Sequence, residues 1–221
     1  VCWKLNAWPE GYRSKASMIP ATTRAAMMRG RCAMLSGARY AYAAKQSTLP
    51  NESTPADGEF TLSEIDGCNR TYRGILQICE TEGKGRGLFA SRRFAPDNLV
   101  MTARAVSKSD TRSSHSVQTD CDTHVIMDLP ATLINHSCDA NVGIRDNDLG
   151  AYDFFALTDI VEGEELVWDY NASEWEISTP FQCACGSPRC RGRLRGFKHD
   201  GEHIRDAYGP FYASYLKKNE Q

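Results

Sequence analysis

The amino-acid sequence predicts a mainly β fold built from several short strands. Apolar runs rich in β-branched and aromatic residues carry this prediction, and they lie at residues 72–79, 124–129, 152–157 and 165–170. Segments containing glycine, proline or clustered polar residues separate the runs, as expected for strands joined by turns and loops. Because segments with helical periodicity are few, we expect small sheets with only short helices.

The overall composition is that of one main globular domain with appendages. The chain has 221 residues, of which 41% are hydrophobic and 24% charged, and its formal net charge is -2. This charge argues against a protein that binds nucleic acid over its whole surface. No apolar run approaches the ~20 residues that cross a bilayer. We therefore expect an intracellular protein without membrane contact, located in the nucleus or cytoplasm.

The amino-terminal segment, residues 1–60, has a different composition from the rest. Residues 11–50 contain seven basic residues and no Asp or Glu. An acid-poor, Arg- and Ser-containing amino terminus is typical of a mitochondrial or plastid transit peptide, although a disordered basic arm has the same composition. We expect a disordered or targeting segment that ends in a linker at residues 50–60, and an organelle remains an alternative location.

A glycine-rich turn follows the first predicted strand. Glycines at positions 83, 85 and 87 precede the apolar residues Leu88, Phe89 and Ala90. Such glycines let the backbone approach a ligand closely, but a hairpin turn that needs positive φ is the favoured explanation. The phosphate-binding and dinucleotide-binding patterns do not fit, because a strand rather than a helix follows. Further along, residues 101–122 are predicted to form a surface loop with at most one strand.

Residues 133–141 are the most chemically dense stretch of the chain. An apolar run ends there in Asn135, His136, Ser137 and Cys138. The stretch predicts either a binding site or a buried strand that enters an Asx-type turn.

A cluster of thiols lies near the carboxy terminus. Cys183, Cys185 and Cys190 fall within eight positions, a spacing that favours zinc over disulfides or free thiols. Local spacing does not choose the fourth ligand. The candidates are Cys79, Cys121, Cys138, His199 and His203. Basic residues at positions 189–198 predict either a solvated surface or a contact with an acidic partner or nucleic acid.

Aromatic residues recur in the last segment, residues 197–221. Tyr208, Phe211, Tyr212 and Tyr215 have helical spacing, and Pro210 is placed to begin a short helix. We expect this aromatic tail to be helical. It would pack against the domain or line a substrate groove.

Four motifs in this order carry a family resemblance. They are Gly-Arg-Gly-Leu-Phe-Ala at 85–90, Asn-His-Ser-Cys-Asp-Ala-Asn at 135–141, Glu-Leu-Val-Trp-Asp-Tyr at 165–170 and the cysteines at 183–190. Together they resemble the SET domain protein-lysine methyltransferases with a post-SET zinc segment. The resemblance covers about residues 72–196. It lacks the cysteine-dense pre-SET cluster of some members, and its variable insert between residues 94 and 135 is short.

The resemblance implies a domain organisation and a fold. It implies a SET domain at residues 61–176 and a post-SET zinc segment at residues 177–196. The fold would be a β-clip of small curved sheets whose carboxy-terminal strand passes beneath a loop to make a pseudoknot.

The resemblance also implies roles for individual residues. Tyr170 would be the catalytic tyrosine, and Trp168 would line the lysine channel, where its bulk would narrow the channel. One zinc ion would be held by Cys138, Cys183, Cys185 and Cys190. S-adenosylmethionine would be bound by Lys84, Gly85, Arg86, Gly87, Leu88, Asn135 and His136, with Leu194 over the adenine. Departures from the family pattern at Thr132, Leu133 and Ala140 look structurally tolerable.

The implied activity is methyl transfer to a lysine of a protein, a histone or another substrate. An inactive SET-fold interaction module is the alternative. A third reading treats Cys138 as a nucleophile with His136 as its base, which their separation by one residue supports poorly. We expect a monomer whose partner is a lysine-containing protein or peptide, with nucleic acid contacting at most the basic residues at 189–198.

Overall fold

The computed structural model describes residues 60–220, apart from residues 82, 110, 111, 114 and 179 and the side chains of 219 and 220. The targeting or disordered segment expected at residues 1–60 lies, except for Phe60, outside the described residues. Short strands dominate the described part of the chain, so the predicted mainly β class is confirmed. No helix there is long and apolar enough to cross a membrane.

The elements follow one another closely along the chain. In order, the first half contains α1 (Leu62–Thr71), β1 (Leu76–Thr81), β2 (Gly85–Ala90), β3 (Leu99–Thr102), β4 (Ala105–Ser109), β5 (Ser116–Asp120) and β6 (Thr123–Met127). The second half contains β7 (Asn135–His136), β8 (Val142–Asp146), β9 (Tyr152–Ala156), β10 (Glu165–Trp168), β11 (Phe181–Gln182), β12 (Arg193–Leu194) and α2 (Phe197–Tyr208). Short 3-10 helices span Ala131–Leu133, Tyr170–Ala172 and Ser214–Glu220.

The strands form three small sheets and a two-stranded ribbon. Their orders are β1-β2-β10-β7, β3-β9-β8, β4-β6-β5 and β11-β12. All described pairings are antiparallel except that of β7 with β10, which is parallel. This pairing places Asn135 beside Val167 and His136 beside Trp168, although about thirty residues separate them along the chain. The segments after β7 and β10 therefore leave the sheet side by side. The threading of the expected pseudoknot stays a prediction.

The predicted loop at residues 101–122 is instead largely strand. It contains the end of β3 and the whole of β4 and β5. Strand β4 is mostly exposed, with Val106 58% accessible to solvent. Because few side chains of this strand are buried, its sequence does not alternate between apolar and polar residues. Backbone pairing with β6 stabilises it instead.

The first helix was not predicted, although its start has a clear signal. Thr61 accepts a hydrogen bond from the backbone N–H of Glu64, and the Glu64 carboxylate accepts one from the N–H of Thr61. This capping box satisfies two of the amide groups that the first helical turn leaves without partners. The only fully buried side chain of the helix is Ile65, so its amphipathic pattern is weak.

The aromatic tail packs against the core. Helix α2 ends at Tyr208, where Gly209 turns the chain with φ +56°, so Pro210 follows a helix end and does not begin a helix as expected. Tyr208, Phe211, Tyr212 and Tyr215 are all buried. A Cβ atom on Gly143 of β8 would lie 2.5 Å from Cβ of Phe211. Only glycine lets the tail approach this sheet so closely.

Candidate active site

An open cleft lies where the start of β2 faces the segment that enters β7. Its volume is about 380 Å³, within the range of small-molecule sites. It is lined by Glu80, Lys84, Gly85, Arg86, His115, Thr132, Leu133, Ile134, Asn135 and Tyr170. The cleft thus brings together residues of three separate sequence motifs. His115 also lies here, although no sequence motif indicated it.

The glycine-rich turn forms one wall of the cleft. Gly85 has φ +72°, a conformation that favours glycine. At Gly87 the neighbouring side chains leave no room for a larger residue, because a Cβ there would lie 2.9 Å from Glu165 Oε1 and 3.0 Å from Asn135 Nδ2. The hairpin turn explains Gly85, and crowding by neighbouring side chains explains Gly87. Close approach to a ligand stays a prediction. Leu88 is fully buried behind this wall and does not line the cleft.

Glu165 organises the polar side chains of the cleft. Its Oε2 lies 2.6 Å from Lys84 Nζ, and its Oε1 accepts a hydrogen bond of 2.9 Å from Asn135 Nδ2. Asn135 Nδ2 also donates to the carbonyl of Arg86 at 3.1 Å. Glu165 was not singled out from the sequence. Its position as the first residue of the motif at 165–170 was the available signal, because a charged residue that begins a buried strand needs a partner.

Tyr170 presents its hydroxyl to the cleft from the residue pair that follows β10. The hydroxyl donates to the carbonyl of Ile134 at 3.1 Å. Burial raises the pKa of Tyr170, and the nearby Glu165 carboxylate raises it further. The phenol therefore stays protonated at neutral pH, as a donor and acceptor of hydrogen bonds.

His136 lies behind the cleft, between Tyr170 and the cysteines. Its Nδ1 accepts a hydrogen bond of 3.3 Å from the backbone N–H of Tyr170, and its Nε2 lies 3.4 Å from Cys138 Sγ. Accepting at Nδ1 leaves the proton of a neutral ring on Nε2, directed at the sulfur. Burial lowers the pKa of His136 to about 4, with Asp169 opposing this shift.

Trp168 lies beneath Tyr170 in the core, only 3% exposed. The centroids of the two rings are 5.3 Å apart, and Trp168 also contacts Phe154 edge-to-face at 5.6 Å. It does not line the cleft. Its expected place in a lysine channel stays a prediction.

The thiols of Cys138, Cys183, Cys185 and Cys190 come together near the cleft, with all sulfur atoms within 4.8 Å of one another. A Zn–S distance of about 2.3 Å in a tetrahedral site implies about 3.8 Å between sulfurs. The sulfurs of Cys138 and Cys183 are 3.8 Å apart. The cluster therefore fits one zinc ion, with Cys138 as the ligand that local spacing left open. The other candidates, Cys79, Cys121, His199 and His203, are not in this cluster.

The protonation of these thiols depends on their surroundings. Burial raises the pKa of Cys138 to about 11 and also raises that of Cys183. At Cys185 burial acts in the same direction, but hydrogen bonds from the backbone of Cys138 and Ser187 outweigh it and lower the pKa to about 7. The backbone N–H groups of Arg191 and Gly192 point at Cys138 and Cys190 sulfurs from 3.5 and 3.4 Å. Such donors stabilise thiolates, the form that a metal binds.

Leu194 closes the cysteine cluster on its apolar side. The side chain is fully buried on β12, in a small apolar cluster with Cys138 and Cys183 against which Tyr170 also packs. On the partner strand Phe181 is 40% exposed, and its ring meets His136 edge-on at 6.5 Å. The ribbon β11-β12 thus connects the cysteines with the cleft.

A buried ion pair also joins the motif at 165–170 to the cysteine segment. Arg191 donates to both carboxylate oxygens of Asp169, at 2.6 and 2.7 Å, and the Asp169 side chain is fully buried. The Tyr208 hydroxyl lies 3.2 Å from the same carboxylate and 3.2 Å from the carbonyl of Cys138, so these two acceptors share its one hydrogen. Sequence reasoning missed the roles of Asp169 and Tyr208. The partners of both residues are distant in the chain, so no local sequence pattern indicates these contacts.

The basic residues at 189–198 are therefore not one open surface. Arg191 is held by Asp169, Arg189 lies 3.3 Å from Asp139 and Lys198 lies 2.9 Å from Glu176. Arg193 and Arg195 remain exposed. Much of the charge that suggested an acidic partner or nucleic acid is already compensated within the domain.

Replacing Arg191 with methionine is expected to lower the free energy of unfolding by about 3–5 kcal/mol, because it leaves the Asp169 carboxylate buried without its cation. Arg189→Met is the matched control, since the Arg189 side chain is 47% exposed and its pair contributes less than about 1 kcal/mol. Urea unfolding of both variants measures the difference. Equal losses would contradict a special role for the buried pair.

The chain is similar to a family model and to several named proteins. A family model described as SET domain matches residues 85–171. The chain is similar to "Histone-lysine N-methyltransferase trithorax" of Drosophila virilis, with 28% identity over 170 residues that cover 63% of this chain and 4% of that protein. It is also similar to "Histone-lysine N-methyltransferase, H3 lysine-9 specific KMT1" of Fusarium mangiferae, with 36% identity over 146 residues that cover 59% of this chain and 39% of that protein.

The chain thus spans less than half the length of these relatives. Among solved structures, it is similar to the methyltransferase domain of human "Histone-lysine N-methyltransferase SETMAR". The identity is 22% and the TM-score 0.42, over 55% of this chain and 58% of that chain.

Proposed function

Because a family model described as SET domain matches residues 85–171, we propose that the protein transfers a methyl group from S-adenosylmethionine to a lysine side chain of another protein. One observation carries this proposal. The glycine turn at Gly85, the Asn135 amide and the protonated Tyr170 hydroxyl meet in one cleft, although the chain separates them widely. Methyl transfer needs a donor site and a hydroxyl that orients the acceptor, and the two must lie close together, as they do in this cleft.

The donor would lie along the glycine turn. There Gly85 lines the cleft without a side chain, and no atom lies within 4 Å of the place that a Cβ would occupy. The Asn135 amide, already fixed by Glu165 and the Arg86 carbonyl, would supply polar contacts on the opposite wall. His136 would act indirectly, by holding the backbone of Tyr170. Leu194, which is fully buried and outside the lining of the cleft, would support the adenine site from behind. The cleft volume of about 380 Å³ is adequate for a small-molecule donor of this kind.

When bound, S-adenosylmethionine supplies an activated methyl group on a sulfonium, so no strong base is required for the transfer itself. The residues of this chain would position the acceptor. A lysine amine of reference pKa ~10.4 must lose its proton, and entry into an apolar environment lowers that pKa. The Tyr170 hydroxyl would then orient the neutral amine so that its lone pair points along the axis of transfer. The nitrogen would form the new bond to the methyl carbon as the carbon–sulfur bond of the donor breaks, and the positive charge would pass from the sulfonium to the methylated amine.

The cysteine cluster would hold one zinc ion in a structural role. Four thiol ligands leave no open coordination position, the arrangement typical of structural rather than catalytic zinc. Bound there, zinc would cross-link the turn after β7 to the ribbon β11-β12. It would thereby fix His136 and Leu194 behind the donor site. This assignment makes residues 177–196 a post-SET segment and residues 61–176 the SET domain, with residues 197–221 as a supporting tail.

The substrate class is proposed from the relatives. Both relatives compared above bear the name histone-lysine N-methyltransferase, so a histone tail is the first candidate and the nucleus the first candidate location. We propose that the protein acts as a monomer, since the cleft is assembled within one chain. The number of methyl groups added would be limited by Trp168, whose bulk fills the space beneath Tyr170.

A donor-binding and methyl-transfer assay tests the proposal. We expect the zinc-loaded protein to bind S-adenosylmethionine in calorimetry and to transfer radiolabel from the methyl group to histones or to a protein in a whole-cell extract. Heat-inactivated protein is the control for label that transfers without enzyme. Donor binding without any labelled protein would favour an inactive interaction module, and failure of both measurements would contradict the enzyme and its donor site together.

A further inference from the structure

A second pocket lies beside the cleft and has no place in the proposed chemistry. Its volume is about 310 Å³. It is lined by Ser109, Arg112, Gln118, Cys121, Asp122, His124, Trp175 and Glu176. These residues come from the sheet β4-β6-β5 and from the segment after Tyr170.

We propose that this pocket binds a lysine or arginine side chain of the protein substrate, a few residues away from the lysine that is methylated. The inference rests on the proposed function, because it names the substrate that the cleft would receive. It adds a specificity site that the methyl transfer itself does not require.

The charges of the pocket favour a cationic guest. The one cation among its lining residues, Arg112, lies 3.9 Å from Glu174, whose carboxylate compensates it. Glu176 is paired with Lys198 at 2.9 Å. Asp122 is exposed and accepts none of the described hydrogen bonds or ion pairs, so its carboxylate leaves the pocket net negative. A guest of positive charge would therefore be attracted and an acidic one repelled.

An aromatic wall adds a second feature suited to a cation. Trp175 lines the pocket, while its ring packs against Phe197 with centroids 6.3 Å apart. Its backbone N–H is held by Gln118 Oε1 at 3.0 Å and Tyr215 Oη at 3.1 Å. The ring is thus fixed in place before any guest arrives. Tryptophan is the side chain that attracts ammonium and guanidinium groups most strongly through its face.

A buried histidine at the pocket shares the carboxylate that compensates Arg112. The His124 side chain is only 10% exposed, and its Nε2 has no hydrogen-bond partner in the described part of the chain. The nearest acceptor, Glu174 Oε2, lies 3.5 Å away. Glu174 thus serves both His124 and Arg112, which leaves Asp122 as the carboxylate that faces a cationic guest.

The same two segments connect the pocket to the cleft. His115 lines the cleft and Gln118 and Cys121 line the pocket, with β5 running between them. At about 3.4 Å per strand residue, these positions are about 10 to 20 Å apart. Tyr170 and Trp175 connect the two sites on the other side. An extended peptide with its target lysine at Tyr170 would thus place a residue about three to six positions away in the pocket.

Peptide binding by the full zinc-loaded chain tests this inference without relying on turnover. The probes are fluorescent alanine- and serine-based peptides with methionine at the target position and a single arginine at each other position in turn. We expect tighter binding when the arginine lies about three to six residues from the methionine on one side. Asp122→Asn should weaken that gain about three- to fivefold, the effect of one exposed charge pair. Asp122→Glu should retain it.

Asp148→Asn is the matched control, because Asp148 is an exposed aspartate on the loop between β8 and β9. It should leave all affinities unchanged. The inference is overturned if no arginine position improves binding, if glutamate improves it as well as arginine, or if Asp122→Asn and Asp148→Asn have equal effects. The proposed function is judged separately by label transfer to histones, so either idea can fail while the other stands.

Discussion

Replacing Tyr170 with phenylalanine is expected to lower the rate of methyl transfer by at least about a hundredfold, since small errors in the placement of reacting groups cost about that much. The change removes one oxygen, whose only described bond within the domain is the donation to the Ile134 carbonyl. Losing that bond should cost about 1 kcal/mol of stability. The variant should therefore remain folded and bind S-adenosylmethionine with little change. Single-turnover label transfer and calorimetry, performed on the same preparation, separate the two effects.

Tyr72→Phe is the control for this experiment. Tyr72 is half-buried in the turn before β1, away from the cleft, and burial raises its pKa as it does that of Tyr170. The control should retain full transfer. Unchanged turnover in Tyr170→Phe would remove Tyr170 from the catalytic role, and the lysine methyltransferase assignment would then lose its central residue.

The replacement of Cys185 with serine is expected to have the second large effect, on metal content and stability together. We expect the wild-type protein to contain one zinc per chain and the variant close to none, because a serine hydroxyl is not deprotonated to a ligand as a thiol is. Loss of a structural metal belongs to the small group of changes that cost on the order of 4 kcal/mol. Elemental analysis and thermal unfolding measure the two quantities.

The consequence should extend to the donor site. Cys138 lies in the same cluster, and its sulfur is 3.4 Å from His136 Nε2, while Nδ1 of that ring holds the backbone of Tyr170. Donor affinity should therefore fall with zinc content, and a chelator should reproduce both losses in the wild-type protein. The control is Cys68→Ser, a half-buried cysteine in α1 outside the cluster. A variant that loses zinc but binds the donor normally would refute the coupling.

The two predictions concern one continuous structure. Behind the cleft, the Tyr170 backbone, the His136 ring and the Cys138 sulfur form a chain of contacts. The Asp169–Arg191 pair runs parallel to it and reaches the same cysteine segment. The Tyr170 hydroxyl, which we propose to be catalytic, is thus held by groups that contact the cysteine cluster. Loss of zinc would therefore disturb the proposed active site even though the cysteines touch no reacting atom.

The strands that the sequence predicted are those with one buried face. Residues 152–157 and 165–170 alternate or run apolar because they pack into the core, and β9 and β10 appear there. Strand β4 could not be recognised, because it is held by pairing with β6 rather than by burial. Helix α1 could have been recognised from Thr61 and Glu64, since a capping box is a local signal.

Patterns of a few consecutive residues, which the sequence shows by itself, determined which side chains can bind a metal or a ligand. The cysteine spacing, the polar turn at 135–141 and the glycines at 83–87 indicated a metal cluster and a ligand site, because each pattern is confined to a few consecutive residues. Tertiary structure alone decided which of them meet. The parallel pairing of β7 with β10 brings Asn135 to Glu165 and His136 to Tyr170, and it buries Asp169 against Arg191. Contacts across such distances depend on how strands pair in three dimensions, which short-range patterns do not encode.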